Sequence, residues 1–259
     1  MRTRILAMGA AAIAACSSSS SSSPSGPPDA GIDLDDDAGY LDASSPDGDK
    51  PMVDGGYVAP DGGLSPADRF VTSVVSFTPG DCAGFGIPEM PGIVEGPPVG
   101  AGNLAGSLDV VSLGFDGEIV LAFDPNAIVD GPGVDFIVFE NAFYAGGDPS
   151  RVAADLGEVS VSDDGTTWQT YPCDATKTSP PWGTCAGWHP VYSAPGNGIS
   201  PIDPKTAGGD AFDLADVGLA HARFVRIRDK GATMCPAQPP KPNNNGFDLD
   251  AIAVVNSAL

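Results

Sequence analysis

The pattern of apolar and polar positions divides the chain near residue 67. Before it, a single apolar run at 5–13 (ILAMGAAAI) precedes a stretch, 17–66, with almost no apolar periodicity. After it, short β-branched and aromatic segments recur between Gly-, Pro- and Asp-rich turns. Residues 70–77 (FVTSVVSF) predict a strand. Residues 110–113 and 118–123 (EIVLAF) predict a pair joined by the turn 114–117 (GFDG). Residues 134–140 (VDFIVFE) form a nearly continuous apolar run, the pattern of a buried sandwich strand. Residues 157–162 and 166–171 flank Asp163-Asp164-Gly165, a hairpin signal. In 222–228 (ARFVRIR), Phe224 and Ile227 border Val225, leaving Arg223, Arg226 and Arg228 for the wet side. Residues 247–255 (FDLDAIAVV) close the series, and a short helical turn fits 214–219. No long amphipathic helix is predicted. Many short strands at regular spacing predict an all-β sandwich or barrel.

The first sixteen residues read as an export signal. Arg2 and Arg4 precede the apolar run, which is far short of the roughly 20 residues a membrane-spanning helix needs. Ile13-Ala14-Ala15-Cys16 resembles a bacterial lipobox, which implies lipidation of Cys16 and anchoring of the chain to the membrane through lipid. Ser17, rather than Asp, follows the cysteine, which in that resemblance leans toward the outer membrane or cell surface. Residues 17–66 carry ten Asp and one Lys and predict a disordered Ser/Asp/Gly/Pro-rich stalk. The domain is 67–259, with a long irregular loop at 172–208.

Charge narrows the function. The chain has 34 acids against 12 bases, and the domain retains 24 and 9 of them. No basic surface exists to neutralise phosphates, so a nucleic-acid partner is not expected. The 34 glycines and 26 prolines, together about twice average usage, argue against a helical bundle.

Beyond Cys16 there are four cysteines, an even number suited to an oxidising compartment. They allow three pairings. Cys173–Cys185 is favoured because it closes the irregular PCDATKTSPPWGTC loop, which leaves Cys82–Cys235. A zinc site lacks both clustered C-x-x-C spacing and nearby histidines.

The hairpin 158–168 (EVSVSDDGTTW) and the strand 222–227 (ARFVRI) are similar to those of discoidin-like (F5/8 type C) domains. That resemblance implies the galactose-binding jelly-roll β-sandwich, with ligands such as glycans bound by loops at one end and, in many members, a structural calcium ion. The strings 74–80, 111–114, 133–141, 208–219 and 246–252 are similar to a group of uncharacterised bacterial cell-surface proteins, which implies envelope location. The long 172–208 loop departs from discoidin domains, so no glycan-binding residue is carried over.

The acids stand in unusual places. Asp135 and Glu140 bracket a strand expected to be buried, Asp248 and Asp250 sit in another, and Asp210 and Asp213 follow a Gly-rich loop. Buried carboxylates need a partner or a metal, and calcium takes six to eight oxygen ligands. These six are therefore the calcium candidates, with Asp248 and Asp250 expected to converge from one face. Phe212-Asp213-Leu214 and Phe247-Asp248-Leu249 repeat one tripeptide, with Phe and Leu expected as core plugs. Trp182, Trp188 and Tyr192 in the long loop are candidates for a sugar-stacking platform, the alternative being that they pack the loop onto the sandwich. Nucleophilic catalysis is poorly supported: His189 and His221 are the only histidines, and no G-x-S-x-G, H-E-x-x-H or phosphate-loop motif occurs. The sequence thus reads as a calcium-stabilised surface module with glycans or envelope proteins as partners, rather than an enzyme. The alternatives are a purely structural envelope protein or a polysaccharide-acting enzyme using a carboxylate pair.

Overall fold

In a computed structural model, residues 69–231 and 234–258 are described in full, together with the backbone of three short strands, Met52–Val53, Gly56–Val58 and Leu64–Ser65. The export signal, Cys16 and most of the stalk lie outside the described residues. The three short strands fall within the stretch read as stalk and pair antiparallel, Met52 with Tyr57 and Val58 with Leu64. An average over 17–66 conceals this segment, because Val53, Tyr57, Val58 and Leu64 are concentrated at its end.

The domain is an all-β sandwich. One layer is a five-stranded antiparallel sheet, in the order Gln169–Thr170, Gly157–Ser162, Phe224–Asp229, Glu118–Ala122, Ser73–Thr78. The facing layer is built on Asp210–Phe212, Phe136–Phe139 and Ala251–Val254. Ile119, Leu121, Val159, Val161, Val225 and Ile227 of the first layer meet Phe136, Val138, Phe212, Ile252 and Val254 of the second in one core. Phe136 stacks on Phe212 at 5.0 Å, and Tyr171 packs edge-on against both.

The facing sheet is also covered on its outer side. There Ile137, Phe139, Ala251 and Ala253 pack against Phe70, Val191 and Ala207, the last two from the long loop. Alternate residues of Phe136–Phe139 therefore enter different cores, and all four are buried. This double covering explains the continuous apolar run. The five-stranded sheet, by contrast, keeps a wet face. Val225 and Ile227 point inward, while Phe224, Arg226 and Arg228 point outward. Glu118 receives both Arg226 and Arg228, and the Arg226 guanidinium lies 4.4 Å from the Trp168 ring centre.

Two expectations change in detail. Val111–Ser112 does not pair with Glu118–Ala122; it pairs with Asp248–Leu249, while Glu118–Ala122 joins Ser73–Thr78 and Phe224–Asp229. The 114–117 turn is present, with Gly117 N–H donating to Gly114 O, but it carries the chain from one layer to the other. The strand after the Asp163-Asp164-Gly165 turn is shortened to Gln169–Thr170. The helical turn at Leu214–Val217 forms as expected, with the Ala215 N–H capped by the Asp213 side chain. It is the longest helical segment among the described residues, none of whose helices is long and apolar enough to cross a membrane.

Cys173–Cys185 and Cys82–Cys235 are disulfide-bonded, which implies an oxidising environment. The bridges span 12 and 153 residues. By loop-closure entropy they stabilise the fold by about 3 and about 5 kcal/mol. Replacing Cys82 and Cys235 with Ser is expected to lower the unfolding free energy more than replacing Cys173 and Cys185, as read from denaturant melts. An equal or reversed order would mean that the longer loop is already constrained in the unfolded chain.

Candidate functional site

The strand Phe136–Phe139 ends at Glu140. Its neighbour Ala251–Val254 runs antiparallel to it, with Ala251 opposite Phe139, so the segment before Ala251 arrives beside Glu140. That segment carries Asp248, in the short strand paired to Val111–Ser112. Asp155 comes from the short link between the strands Val152–Ala153 and Gly157–Ser162. Each of Glu140, Asp155 and Asp248 places a carboxylate oxygen within 4.8 Å of the other two. The long loop is pressed close behind Asp155. Gly187 adopts φ +92°, and a Cβ there would lie 2.0 Å from the Asp155 carbonyl oxygen, so this contact requires glycine.

Glu140 is 1% exposed, and neither of its carboxylate oxygens has a hydrogen-bond partner. Burial first, then the charges of Asp248 and Asp155, hold its pKa well above the ordinary carboxylate range, and the adjacent Asn141 N–H offsets this only in part. Burial, with help from Asp248 and Asp229, pushes Asp155 up to about 6. Burial likewise raises Asp248 to about 6, against the lowering effect of two donors. Those donors are Ser112 Oγ, which bonds Oδ1, and Asn141 Nδ2, which bonds Oδ2 at 3.1 Å. A buried carboxylate without a donor costs several kcal/mol, roughly, unless a cation neutralises it. Two oxygens bound to one calcium ion at about 2.4 Å lie at most about 4.8 Å apart, so the span of this group fits a single ion. The set holds only hard oxygen donors, which suits calcium rather than zinc or copper.

The other acidic candidates have protein partners. Asp135 Oδ1 accepts from Gly131 N–H at 2.9 Å and Asn256 Nδ2 at 2.8 Å, and Oδ2 accepts from Leu214 N–H at 2.7 Å. Asp130 and Asp213 come within 4.8 Å of it, but its lone pairs already hold donors, and Asp213 caps Ala215 N–H at 2.9 Å. Asp250 does not join Asp248: both its oxygens accept from Val99 N–H, at 3.2 and 2.9 Å. Asp210 accepts from Gly187 N–H at 2.7 Å, Trp188 N–H at 3.2 Å and His189 Nδ1 at 2.6 Å, and its charge reaches Glu140. The repeated tripeptide plugs the core as expected, with Phe212, Leu214, Phe247 and Leu249 buried. Its two aspartates part company, one a cap and the other a member of the acidic group.

Trp182 is 7% exposed and packs with Leu156 and Cys185. Its Nε1 donates to Lys177 O, and its ring meets Trp188 edge-on at 5.7 Å. It seats the disulfide loop on the sandwich. Trp188 lies 3.7 Å from the His189 ring, and Tyr192 is exposed nearby in the chain.

Three residues of this region carry no sequence signal of their own. Asp155 lies in a short irregular link between strands, Asn141 reads as a strand end, and Asp229 closes an arginine-rich strand. Asp229 is buried and holds Phe247, Asp116 and Gly231 N–H groups at 2.9, 3.1 and 3.2 Å. No protein-family model matches the chain. No curated protein is found similar to it in sequence.

Asp155 and Asp248 titrate near 6 when folded and near 3.8 when unfolded. A raised folded pKa stabilises the fold below the unfolded value, and the benefit is lost as pH climbs through the folded one. In chelator, melting temperature is expected to fall by roughly 5 °C or more between pH 5 and pH 7.5. A flat or rising profile in thermal melts would contradict the packing of these three acids.

Proposed function

We propose that the chain is an exported, lipid-anchored cell-surface module. Its β-sandwich is stabilised by calcium held by Glu140, Asp155 and Asp248, and its loop end serves recognition. The carrying observation is the buried Glu140 carboxylate, neither of whose oxygens completes a hydrogen bond and which faces two further carboxylates. A cation supplies the missing charge and coordination in one step, and waters or nearby carbonyls complete the six to eight oxygens that calcium takes.

The discoidin-like jelly-roll reading is supported by the two strings that suggested it. They are adjacent antiparallel strands, with Val159 opposite Ile227 and Val161 opposite Val225. Two disulfides favour export, and the lipobox-like Ile13-Ala14-Ala15-Cys16 supplies the anchor, on the outer membrane or cell surface. The ligand class is a glycan or an envelope protein, met by Trp188 and Tyr192 on the long loop rather than by the buried Trp182.

The test is a melt of the chain after chelation, with calcium titrated back. Saturating calcium at about 100 times its Kd is expected to add about 2.7 kcal/mol, roughly 5–10 °C for a domain of this size. Glu140→Gln removes the buried charge. It should melt higher than the parent in chelator yet lose most of the calcium-dependent rise. No shift in the parent protein would sink the calcium reading. The anchor is checked separately, by incorporation of labelled palmitate into the chain expressed in a bacterial host, which Cys16→Ala is expected to abolish.

A further inference from the structure

Resting on the calcium reading of Glu140, Asp155 and Asp248, we infer that Asn141 couples occupancy of that site to the docking of the 103–109 loop. Cation binding thereby governs how Leu104 and Leu108 are presented at the surface. Asn141 is a positioning residue in this scheme: it touches no cation, and it links the carboxylate group to a surface segment.

The geometry is specific. Asn141 follows Glu140 directly, and its single side-chain amide donates twice, to Asp248 Oδ2 at 3.1 Å and to Ser107 O at 3.1 Å. One planar group therefore reads the position of Asp248 and holds the loop. The loop fits closely over it. A Cβ on Gly106 would lie 2.8 Å from Asn141 O and 3.2 Å from its Cγ. Tyr144 N–H donates to Asn103 O at 2.9 Å, and Ser107 Oγ accepts from Asp109 N–H at 3.0 Å. On either side of this docked turn, Leu104 and Leu108 are 70% and 79% exposed. Among the described residues Leu108 is the most exposed large apolar side chain, and Leu104 is third, just behind Met234 at 72%.

Charge supplies the switch. Without a cation, three carboxylates within 4.8 Å of one another cannot all stay ionised without mutual repulsion. Glu140 is enclosed, whereas the Asp248 carboxylate accepts from two side-chain donors among the described residues, Ser112 and Asn141. Strain relieved by a shift of Asp248 removes the acceptor that fixes the Asn141 amide, and the bond to Ser107 O loses its anchor. With the cation bound, Asp248 is pinned, the amide is oriented as an outer-shell partner of the site, and the loop stays docked.

The experiment is hydrogen exchange by mass spectrometry on the full chain, in calcium and in chelator, with calcium binding measured in parallel by calorimetry. Exchange across 103–109 is expected to slow about tenfold with calcium, the factor that one charge-assisted hydrogen bond supplies. Asn141→Ala should still bind calcium, weakened about 10–100-fold as is usual for outer-shell partners, and should lose the calcium-dependent protection of 103–109 at saturation. Gly106→Ala should raise exchange of the loop in both states and, because the coupling is reciprocal, weaken calcium binding by up to about tenfold. If calcium binds and raises the melting temperature but exchange across 103–109 is unchanged, the coupling is wrong and the calcium reading stands. If calorimetry detects no calcium binding to the parent chain, both fall together.

Discussion

Three carboxylates meet where a fully buried strand of the sandwich, Phe136–Phe139, ends. Phe136–Phe139 is covered on both faces, so the residue that follows it emerges into a dry environment. Placing Glu140 there without a donor is unfavourable unless something else neutralises it. The cost is compounded by Asp248 and Asp155, each delivered by a different strand or turn. The convergence is therefore a property of the sheet topology and not of one flexible loop.

The remaining buried acids show what the same fold does with a carboxylate that has only a structural task. Asp135, Asp210 and Asp229 each hold backbone N–H groups from segments distant in sequence. They act as cross-braces: Asp135 ties the helical turn at Leu214 to the strand entry, Asp210 ties the long loop to the facing sheet, and Asp229 ties Phe247 to the arginine strand. A chain with short strands and many turns leaves numerous backbone donors without ladder partners, and buried aspartates satisfy them. Against that background Glu140 is distinct in kind, because its oxygens have no such donors.

Much of this architecture is legible in the sequence. Period-two alternation and β-branched residues mark 157–162 and 224–229, and the continuous run at 136–139 marks a doubly covered strand. Charged residues inside apolar strings mark Glu140 and Asp248. Pairing is less legible, because a four-residue turn such as 114–117 serves a hairpin or a change of layer equally well, and only the register of Val111 with Leu249 decides it. Asp155 is invisible for a similar reason. Its role depends on where the link before Gly157 lands in space, and an isolated Asp between Ala and Leu carries no trace of that. The expected convergence of Asp248 with Asp250 fails because the chain leaves the strand between them. Asp250 is free to turn toward Val99 N–H, while Asp248 stays beside Ser112.

The distribution of order follows from the same features. The long loop owes its place to apolar plugs and a bridge: Trp182 and Cys185 seat one end on Leu156, and Val191 and Ala207 cover the facing sheet farther along. These contacts operate whatever the state of the acidic group. The 103–109 loop has no comparable plug, since its two leucines face outward. It depends on polar contacts, and the most consequential of these runs through Asn141 to Asp248. A surface segment held by apolar burial is insensitive to charge, whereas one held through a carboxylate inherits whatever charge balance that carboxylate sits in. The same sandwich thus carries one rim fixed by packing and another whose order is set by electrostatics.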